Sequence, residues 1–234
     1  MYFGGVRAVD RVNLAVAEGE LRCLIGPNGA GKSTFFRCLT GQYRPTAGRI
    51  RWRGRDITGA DSFAIARLGI GIKTQVPSLF EGLTVVESVI LAQRRRHGEA
   101  DARRRAMAVL ERLGIAGLAA RVVAQLAHGQ RQLVELAMVV APAPDLILLD
   151  EPTAGMSVEE TGRAATLIRE LNRAHALVVV EHDMQFIKAI ASTVTVFHQG
   201  RVLVEDSVAR VLADPRVHDV YLGRSIAMPG TEGG

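Results

Sequence analysis

Cysteine is almost absent from this sequence, which contains only Cys23 and Cys38. Both stand among apolar residues, and their spacing matches neither a metal site nor a redox pair. We therefore expect two buried free thiols in the reducing environment of the cytoplasm.

Long apolar runs are also missing, since no stretch comes near the roughly 18 uncharged residues that a membrane-spanning helix needs. The first residues, MYFGGVRAVD, have none of the features of a signal peptide. Aromatic residues make up only 5% of the chain, and they do not alternate with basic residues as in proteins that bind single-stranded nucleic acid. The sequence thus predicts a cytoplasmic protein without a nucleic-acid partner.

The positive charge of the chain is concentrated in one segment. The net charge is +5, and residues 94–105, RRRHGEADARRR, hold two arginine triplets with acidic residues between them. Such a segment is typical of a solvent-exposed helix surface, and an edge that faces anionic lipid is the alternative. With 234 residues, of which 48% are hydrophobic, the chain is long enough for one large α/β domain with its own core.

The segment GPNGAGKST, residues 26–34, is the strongest single signal. Gly26, Gly31, Lys32 and Ser33 fit the pattern G-x-x-x-x-G-K-S/T between a predicted strand, ELRCLI, and a predicted helix, TFFRCLTG. Glycines let successive N–H groups point at phosphate oxygens, and the helix N-terminus adds positive charge. We expect Lys32 to reach the β- and γ-phosphates and Ser33 to ligate Mg²⁺. The loop predicts a nucleoside-triphosphate site, which kinases, GTPases and ATPases share.

Two further segments place polar residues at the ends of predicted buried strands. The apolar run DLILLDEP, residues 145–152, contains Asp150 and Glu151 at its end, and VVVEHD, residues 178–183, contains His182. Such runs are typical of parallel sheets, whose strands end at a common edge. We expect Asp150 to reach the Mg²⁺ shell and Glu151 to be the general base for the water that attacks the γ-phosphate.

Five motifs follow one another in an order that resembles ATP-binding-cassette ATPases. They are the phosphate loop, Gln75 in GIKTQVP, LAHGQ at residues 126–130, LILLDEP and EHD. LAHGQ, which precedes a predicted helix, best distinguishes this family from other phosphate-loop families, because they lack this signature. The resemblance covers roughly residues 2–224 and implies an α/β phosphate-loop fold with a mainly parallel sheet, an antiparallel strand portion and a helical subdomain. It also implies ATP hydrolysis with Mg²⁺ by two subunits that pair head to tail around two ATP molecules.

Flanking segments narrow the resemblance within this family. IARLGIGIKTQ, FEGLTVVESV, TAGMS, VVVEHDM and VYLGR are similar to the ATPase subunits of branched-chain amino acid, short amide and urea importers. GELRCLIGPNGAGK, and FHQGRVLVED with the later ADPRVHDVYLGR, are most similar to the urea type. This implies a homodimer or a heterodimer with a second ATPase subunit, docked on integral membrane permease subunits at the inner face of the cell membrane.

The resemblance implies a role for each matching residue. The implied catalytic set is Glu151, His182, Lys32 and Gln75. Phe3, with Tyr2 as the alternative, is expected to stack on adenine. The phosphates are expected to be held by Gly26, Pro27, Asn28, Gly29, Ala30, Gly31, Lys32, Ser33 and Thr34. The γ-phosphate bound to the other subunit is expected to be covered by Ala127, His128, Gly129 and Gln130. The implied Mg²⁺ ligands are Ser33, Gln75 and Asp150.

Three positions depart from the family pattern. Ala127 replaces the usual serine of the signature, which removes a hydroxyl donor, and His128 replaces the usual glycine. Ser157 stands where many members carry aspartate, and Ser157 with Glu160 matches a capping box at the start of a helix. We therefore expect Ser157 to be a helix N-cap.

The predicted organisation is a single domain over residues 1–224, followed by a flexible tail, 225–234. Residues 2–75 and 141–224 are expected to form the nucleotide-binding core, and residues 76–140 the helical subdomain with the signature. Leu79, Phe80 and Leu83 are expected either to dock a permease or to pack in the subdomain core.

Two other functions use the same phosphate loop. A soluble cassette ATPase that acts on nucleic acid or ribosomes usually carries two cassettes or a long insertion, and this chain has neither. In a small-molecule kinase, neither the signature nor His182 is expected.

Overall fold

The computed structural model describes residues 1–75, 79–93 and 98–221, and the chain divides into two compact units. Unit 1 is Met1–Ile65 together with the chain from Val178 onward, and unit 2 is Ala66–Leu177. The predicted tail at 225–234 and the first four residues of the arginine-rich segment lie outside the described residues. Across the described ranges, every helix is too short or too polar to cross a lipid bilayer.

Short strands and helices are interspersed along the described ranges. The strands are β1 (Tyr2–Phe3), β2 (Val6–Arg7), β3 (Leu21–Ile25), β4 (Arg51–Trp52), β5 (Arg55–Asp56), β6 (Ile70–Lys73), β7 (Leu146–Asp150), β8 (Ala176–Val180), β9 (Thr193–His198) and β10 (Arg201–Asp206). The α-helices are α1 (Lys32–Leu39), α2 (Ser62–Arg67), α3 (Val85–Gln93), α4 (Glu99–Arg112), α5 (His128–Val140), α6 (Val158–Asn172), α7 (Met184–Ile190), α8 (Val208–Ala213) and α9 (Pro215–Tyr221). Two short 3₁₀ turns, Ala116–Leu118 and Val123–Gln125, precede α5.

Unit 1 is built on a mixed sheet. Strand β3 pairs in parallel with β9, and β10 adds to β9 in the antiparallel direction. On its other side β3 is followed by β8, and every residue of both β3 and β8 is buried. The segment RIRWRGRDI contains the antiparallel pair β4 and β5. Full burial of short apolar strands is what a parallel sheet covered on both faces requires.

Unit 2 contains a parallel strand pair and the longer helices. Strands β6 and β7 run in parallel, with Lys73 opposite Leu149 at their carboxyl ends. On α4 the residues Ala102, Ala106 and Leu110 are buried, and their four-residue spacing puts them on one helix face. The parallel pairs, the antiparallel portion and the helices agree with the predicted α/β class.

The two cysteines have the predicted environment. Cys23 on β3 and Cys38 on α1 are buried and free, and burial raises the pKa of both thiols. Since a thiol reacts as its thiolate, these side chains are unreactive parts of the core.

Candidate functional site

The phosphate loop is held in shape by close contacts of its glycines. Gly26 and Gly31 have φ values of 142° and 101°. A Cβ on Gly26 would lie 2.2 Å from the carbonyl oxygen of Phe197, and one on Gly31 would lie 2.3 Å from that of Ala8. Only glycine therefore fits both positions. Gly200 adds a hydrogen bond from its N–H to the carbonyl of Ala30 at 3.0 Å.

Lys32 is folded over this loop at the start of α1. It is 9% exposed, and its Nζ donates to the carbonyl oxygens of Gly26 at 2.6 Å and Pro27 at 3.1 Å. In the described part of the chain no side chain caps α1 at Gly31. A buried ammonium and an uncapped helix N-terminus at one loop are suited to bind phosphate oxygens.

Unit 1 also contains Phe3 and His182. The ring of Phe3, 43% exposed, makes an edge-to-face contact with Tyr43 at 5.4 Å between centroids. His182 follows β8 with its side chain 68% exposed, and its Nδ1 lies 3.7 Å from the buried carboxylate of Glu181. The Oε2 of Glu181 also accepts the N–H of His182 at 2.9 Å. Glu181 thus orients the histidine segment.

The two strand acids lie in unit 2 at the end of β7. Asp150 is 6% exposed, and Glu151 follows it with a left-handed φ of 45°. The Nε2 of Gln75 donates to Oε2 of Glu151 at 2.9 Å. The parallel register explains this contact, because Gln75 and Glu151 each lie two residues beyond the pair Lys73 and Leu149. Gln75 and the predicted base are therefore brought together.

The signature begins α5 in the same unit. Its N-cap residue, Ala127, has no side-chain acceptor, and the helix start is closed instead by Oε1 of Gln130, which accepts the N–H of Ala127 at 3.1 Å. The imidazole Nε2 of His128 lies 2.9 Å from the carbonyl oxygen of Ala154. Gly129 is buried, and a Cβ there would lie 2.4 Å from Oε1 of Glu160.

The capping box predicted from SVEE is confirmed. The backbone N–H of Ser157 donates to Oε2 of Glu160 at 2.8 Å, and the N–H of Glu160 donates to Oγ of Ser157 at 3.2 Å. Hydrogen bonds with Ser157 lower the pKa of Glu160, and the bond from the Ser157 backbone has the larger effect. Ser157 is thus the N-cap of α6.

Comparison with known proteins decides the family. The model of the ABC transporter family matches residues 9–154. The chain is 36% identical over 243 residues to the high-affinity branched-chain amino acid transport ATP-binding protein LivG of Escherichia coli strain K12, with 96% of this chain and 95% of LivG covered. It is 37% identical over 243 residues to the corresponding protein BraF of Pseudomonas aeruginosa, with the same coverage. The chain belongs to the ABC transporter family. It is an ATPase of this family and binds ATP.

Solved structures of ABC cassettes have the same fold. The ADP conformation of MJ1267, an ATP-binding cassette of an ABC transporter, matches with a TM-score of 0.86 and 26% identity over 96% of each chain. The dimeric structure of MJ0796, a bacterial ABC transporter cassette, matches with a TM-score of 0.78 and 27% identity over 87% of this chain and 91% of that one. The predicted cassette ATPase fold is confirmed.

One buried ion pair of this cassette was not predicted from the sequence. The Nζ of Lys73 on β6 lies 3.4 Å from Oε2 of Glu135 on α5, and the side chains are 2% and 8% exposed. The pair joins the strand before Gln75 to the signature helix. A sequence signal was present, since both charges interrupt apolar runs, IGIK and LVELAMVV.

Proposed function

We propose that this cassette is the ATP-hydrolysing subunit of an ABC importer for branched-chain amino acids. The support is its sequence identity of 36% to LivG and 37% to BraF, which are both named as branched-chain amino acid transport ATP-binding proteins. Urea and short amides are the other candidate cargoes, because the segments around the phosphate loop and β10 resemble the urea type. In either case a separate binding protein and the permease select the cargo.

The observation that carries the proposed chemistry is the hydrogen bond from Gln75 to Glu151, 2.9 Å long. We assign Glu151 as the general base that takes the proton of the attacking water, and Gln75 as the amide that orients the carboxylate. Lys32 and His182 are assigned to the γ-phosphate, whose developing negative charge they stabilise. Phe3 is assigned to the adenine ring, and the phosphates are assigned to the loop from Gly26 to Thr34.

The donor groups of this chain suit a magnesium ion. Ser33 supplies a hydroxyl, Asp150 a carboxylate and Gln75 an amide oxygen, and such hard oxygen ligands are the ones that Mg²⁺ prefers. When bound, the ion neutralises charge on the phosphate oxygens. Asp150 is 6% exposed, so a cation partner offsets the cost of burying its carboxylate.

We further propose that ATP binds two such subunits together, as a homodimer or with a second ATPase subunit. Ala127, His128, Gly129 and Gln130 are assigned to the wall that each subunit adds to its partner's nucleotide. The dimeric structure of the MJ0796 cassette supports the pairing of two subunits. The assembled protein is placed on the cytoplasmic face of the membrane, with Phe80, 58% exposed, as a contact for the permease.

The substitution Glu151→Gln tests the base and the dimer together. It removes the proton acceptor and keeps the shape, so ATP hydrolysis is expected to fall by about 100-fold or more, and the protein is expected to elute as a dimer with Mg²⁺ and ATP in size-exclusion chromatography. Glu159→Gln, on the exposed face of α6, is the matched control and is expected to hydrolyse ATP normally. Hydrolysis by Glu151→Gln at the normal rate contradicts the assigned base. A strictly monomeric protein at high concentration contradicts the dimer.

The cargo is tested in proteoliposomes that contain the cassette with the permease encoded beside it. Labelled leucine, urea and acetamide are offered with the cognate binding protein, and ATP-dependent uptake of leucine is the expected result. Uptake of urea or acetamide alone would move the proposal to the urea or amide class. Strong stimulation of hydrolysis by DNA, RNA or ribosomes, with no uptake, would favour the soluble class of cassette ATPases.

A further inference from the structure

The imidazole of His128 is bound within its own chain. Its Nε2 lies 2.9 Å from the carbonyl oxygen of Ala154, three residues after Glu151. A carbonyl only accepts hydrogen bonds, so Nε2 carries the proton and donates it. Glycine, the usual residue at this signature position, has no group that could make this bond.

A second side chain contacts the His128 ring. Gln132, one helical turn further along α5 and 4% exposed, has its amide Nε2 3.3 Å from Nε2 of His128. A protonated Nε2 cannot accept from an amide N–H, so we assign the amide with Oε1 toward the ring, where the single imidazole N–H is shared between Oε1 and the carbonyl of Ala154.

A glycine in the loop after Glu151 leaves room for the His128 ring. Gly155 has a φ of 74°, and a Cβ there would lie 3.0 Å from Cδ2 and Nε2 of His128. The ring therefore packs on the bare backbone of Gly155. One residue earlier, the N–H of Ala154 donates to the carbonyl of Glu151 at 3.2 Å. Through Ala154 the ring is thus linked to the backbone of Glu151.

The next signature residue makes a second contact with the same region. Gly129 lies against the carboxylate of Glu160, where a Cβ would come within 2.4 Å of Oε1. Glu160 is itself fixed by the capping box with Ser157. Two successive signature residues therefore pack on the segment from Ala154 to Glu160.

We propose that His128 is a positioning residue for Glu151: by holding the carbonyl of Ala154, it fixes the loop that sets the direction of the catalytic carboxylate. This rests on the proposed role of Glu151 as general base. For the side chain of His128 this role replaces the proposed contact with the γ-phosphate bound to the partner subunit, and the two roles predict different kinetics.

Steady-state hydrolysis separates the two roles. His128→Ala is expected to lower kcat about 3- to 10-fold, the effect of one lost hydrogen bond, with the KM for ATP changed by less than about twofold. His128→Gln, whose Nε2 lies at nearly the same distance from the backbone, is expected to restore most of kcat. His218→Ala is the matched control, since the Nε2 of this exposed histidine also lies close to a carbonyl oxygen, that of Leu212 at 2.7 Å. An unchanged kcat in His128→Ala, or no rescue by His128→Gln, would overturn the proposal.

Dimer formation supplies the second measurement. In the Glu151→Gln background, His128→Ala is expected to form the dimer at the same ATP concentration as the parent, because positioning of the base is not needed for closure. A several-fold higher ATP requirement would assign His128 to the nucleotide and overturn the positioning role. If the Glu151→Gln parent itself stays monomeric, the failure belongs to the proposed function and the kinetic comparison decides the role of His128.

Discussion

Glu151 combines an uncommon backbone conformation with a specific side-chain contact. Its φ of 45° is left-handed, which costs an L-residue roughly 1–2 kcal/mol. Such a conformation persists only where the surroundings impose it. The neighbours that do so are Ala154, whose N–H binds the carbonyl of Glu151, and Gln75, which binds its carboxylate. The strained backbone therefore helps to set the direction in which the base points.

The phosphate-loop glycines allow a prediction at the same scale. Gly26→Ala is expected to abolish ATP binding and to lower the melting temperature, because the new Cβ would lie 2.2 Å from the carbonyl of Phe197. Gly29→Ala is the matched control, since its φ of 77° is also left-handed but no described residue lies within 4 Å of its Cβ position. The control is expected to lower the free energy of unfolding by only about 1–2 kcal/mol.

Thermal unfolding and titration with a fluorescent ATP analogue measure both effects. Equal losses in the two variants would show that backbone conformation alone, and not the contact with Phe197, makes glycine necessary at position 26.

Among the elements of unit 2, β6 and α5 are joined by the buried pair of Lys73 and Glu135. The pair connects the strand that leads to Gln75 with the helix that begins at the signature. Two buried charges are expensive to desolvate, and their mutual attraction offsets that cost only while both are present. The pair therefore makes the position of the signature helix sensitive to the strand that precedes Gln75.

Removing one partner of this pair tests its energetics. Lys73→Met is expected to destabilise the protein by about 3–5 kcal/mol, because it leaves the carboxylate of Glu135 buried without its cation, and the double variant Lys73→Met with Glu135→Leu is expected to recover most of the loss. Urea unfolding measures the free energies. Arg163→Met, which removes an exposed partner of Glu159, is the control and is expected to change stability by less than about 1 kcal/mol. A double variant no more stable than Lys73→Met would contradict this account.

At the scale of the whole chain, an ion pair joins segments that are far apart in sequence. The guanidinium of Arg201 donates to Oδ2 of Asp10 through Nε at 2.9 Å and through its terminal nitrogen at 2.7 Å, across 191 positions. These hydrogen bonds, with further attraction from Arg201 and Arg7, lower the pKa of Asp10. The N-terminal segment is thereby held on β10.

This pKa shift makes stability depend on pH in a definite direction. A carboxyl group with a lowered pKa in the folded state stabilises the protein above its usual pKa, about 4 for aspartate, and loses that contribution as the pH falls through the lower folded value. Asp10→Asn is therefore expected to lower the melting temperature by a few degrees at pH 7. The difference from the wild type is expected to shrink below about pH 4. A difference that stays constant into the acid range would contradict the assigned pair.

Features encoded by neighbouring residues could be predicted from the sequence. The phosphate loop and the Ser157 capping box depend on a few adjacent residues, and both are found where the pattern indicates. Contacts between distant residues could not. The bond from Gln75 to Glu151 spans 76 positions and depends on the register of β6 on β7. The direction of the His128 ring depends on how closely Gly155 allows it to approach.

Strand β3 gives a second example of a contact that the local sequence does not predict. Its apolar run predicts burial, and Arg22 within it is 5% exposed. That arginine is paired with Glu20 and Glu205, and the second partner, on β10, cannot be predicted from local sequence. A charged residue in a buried strand indicates that partners exist without saying where they are.

The close approach of Gly26 to Phe197 and of Gly31 to Ala8 and Gly200 limits how this protein can be shortened. A fragment that ends at residue 154, where the family match ends, would keep all nine residues of GPNGAGKST and lose the late strand against which they are moulded. When it binds nucleotide, the loop of the fragment would then lose conformational entropy that the loop of the intact chain has already lost on folding. Nucleotide recognition is in this sense a property of the late strand β9 as much as of the loop itself.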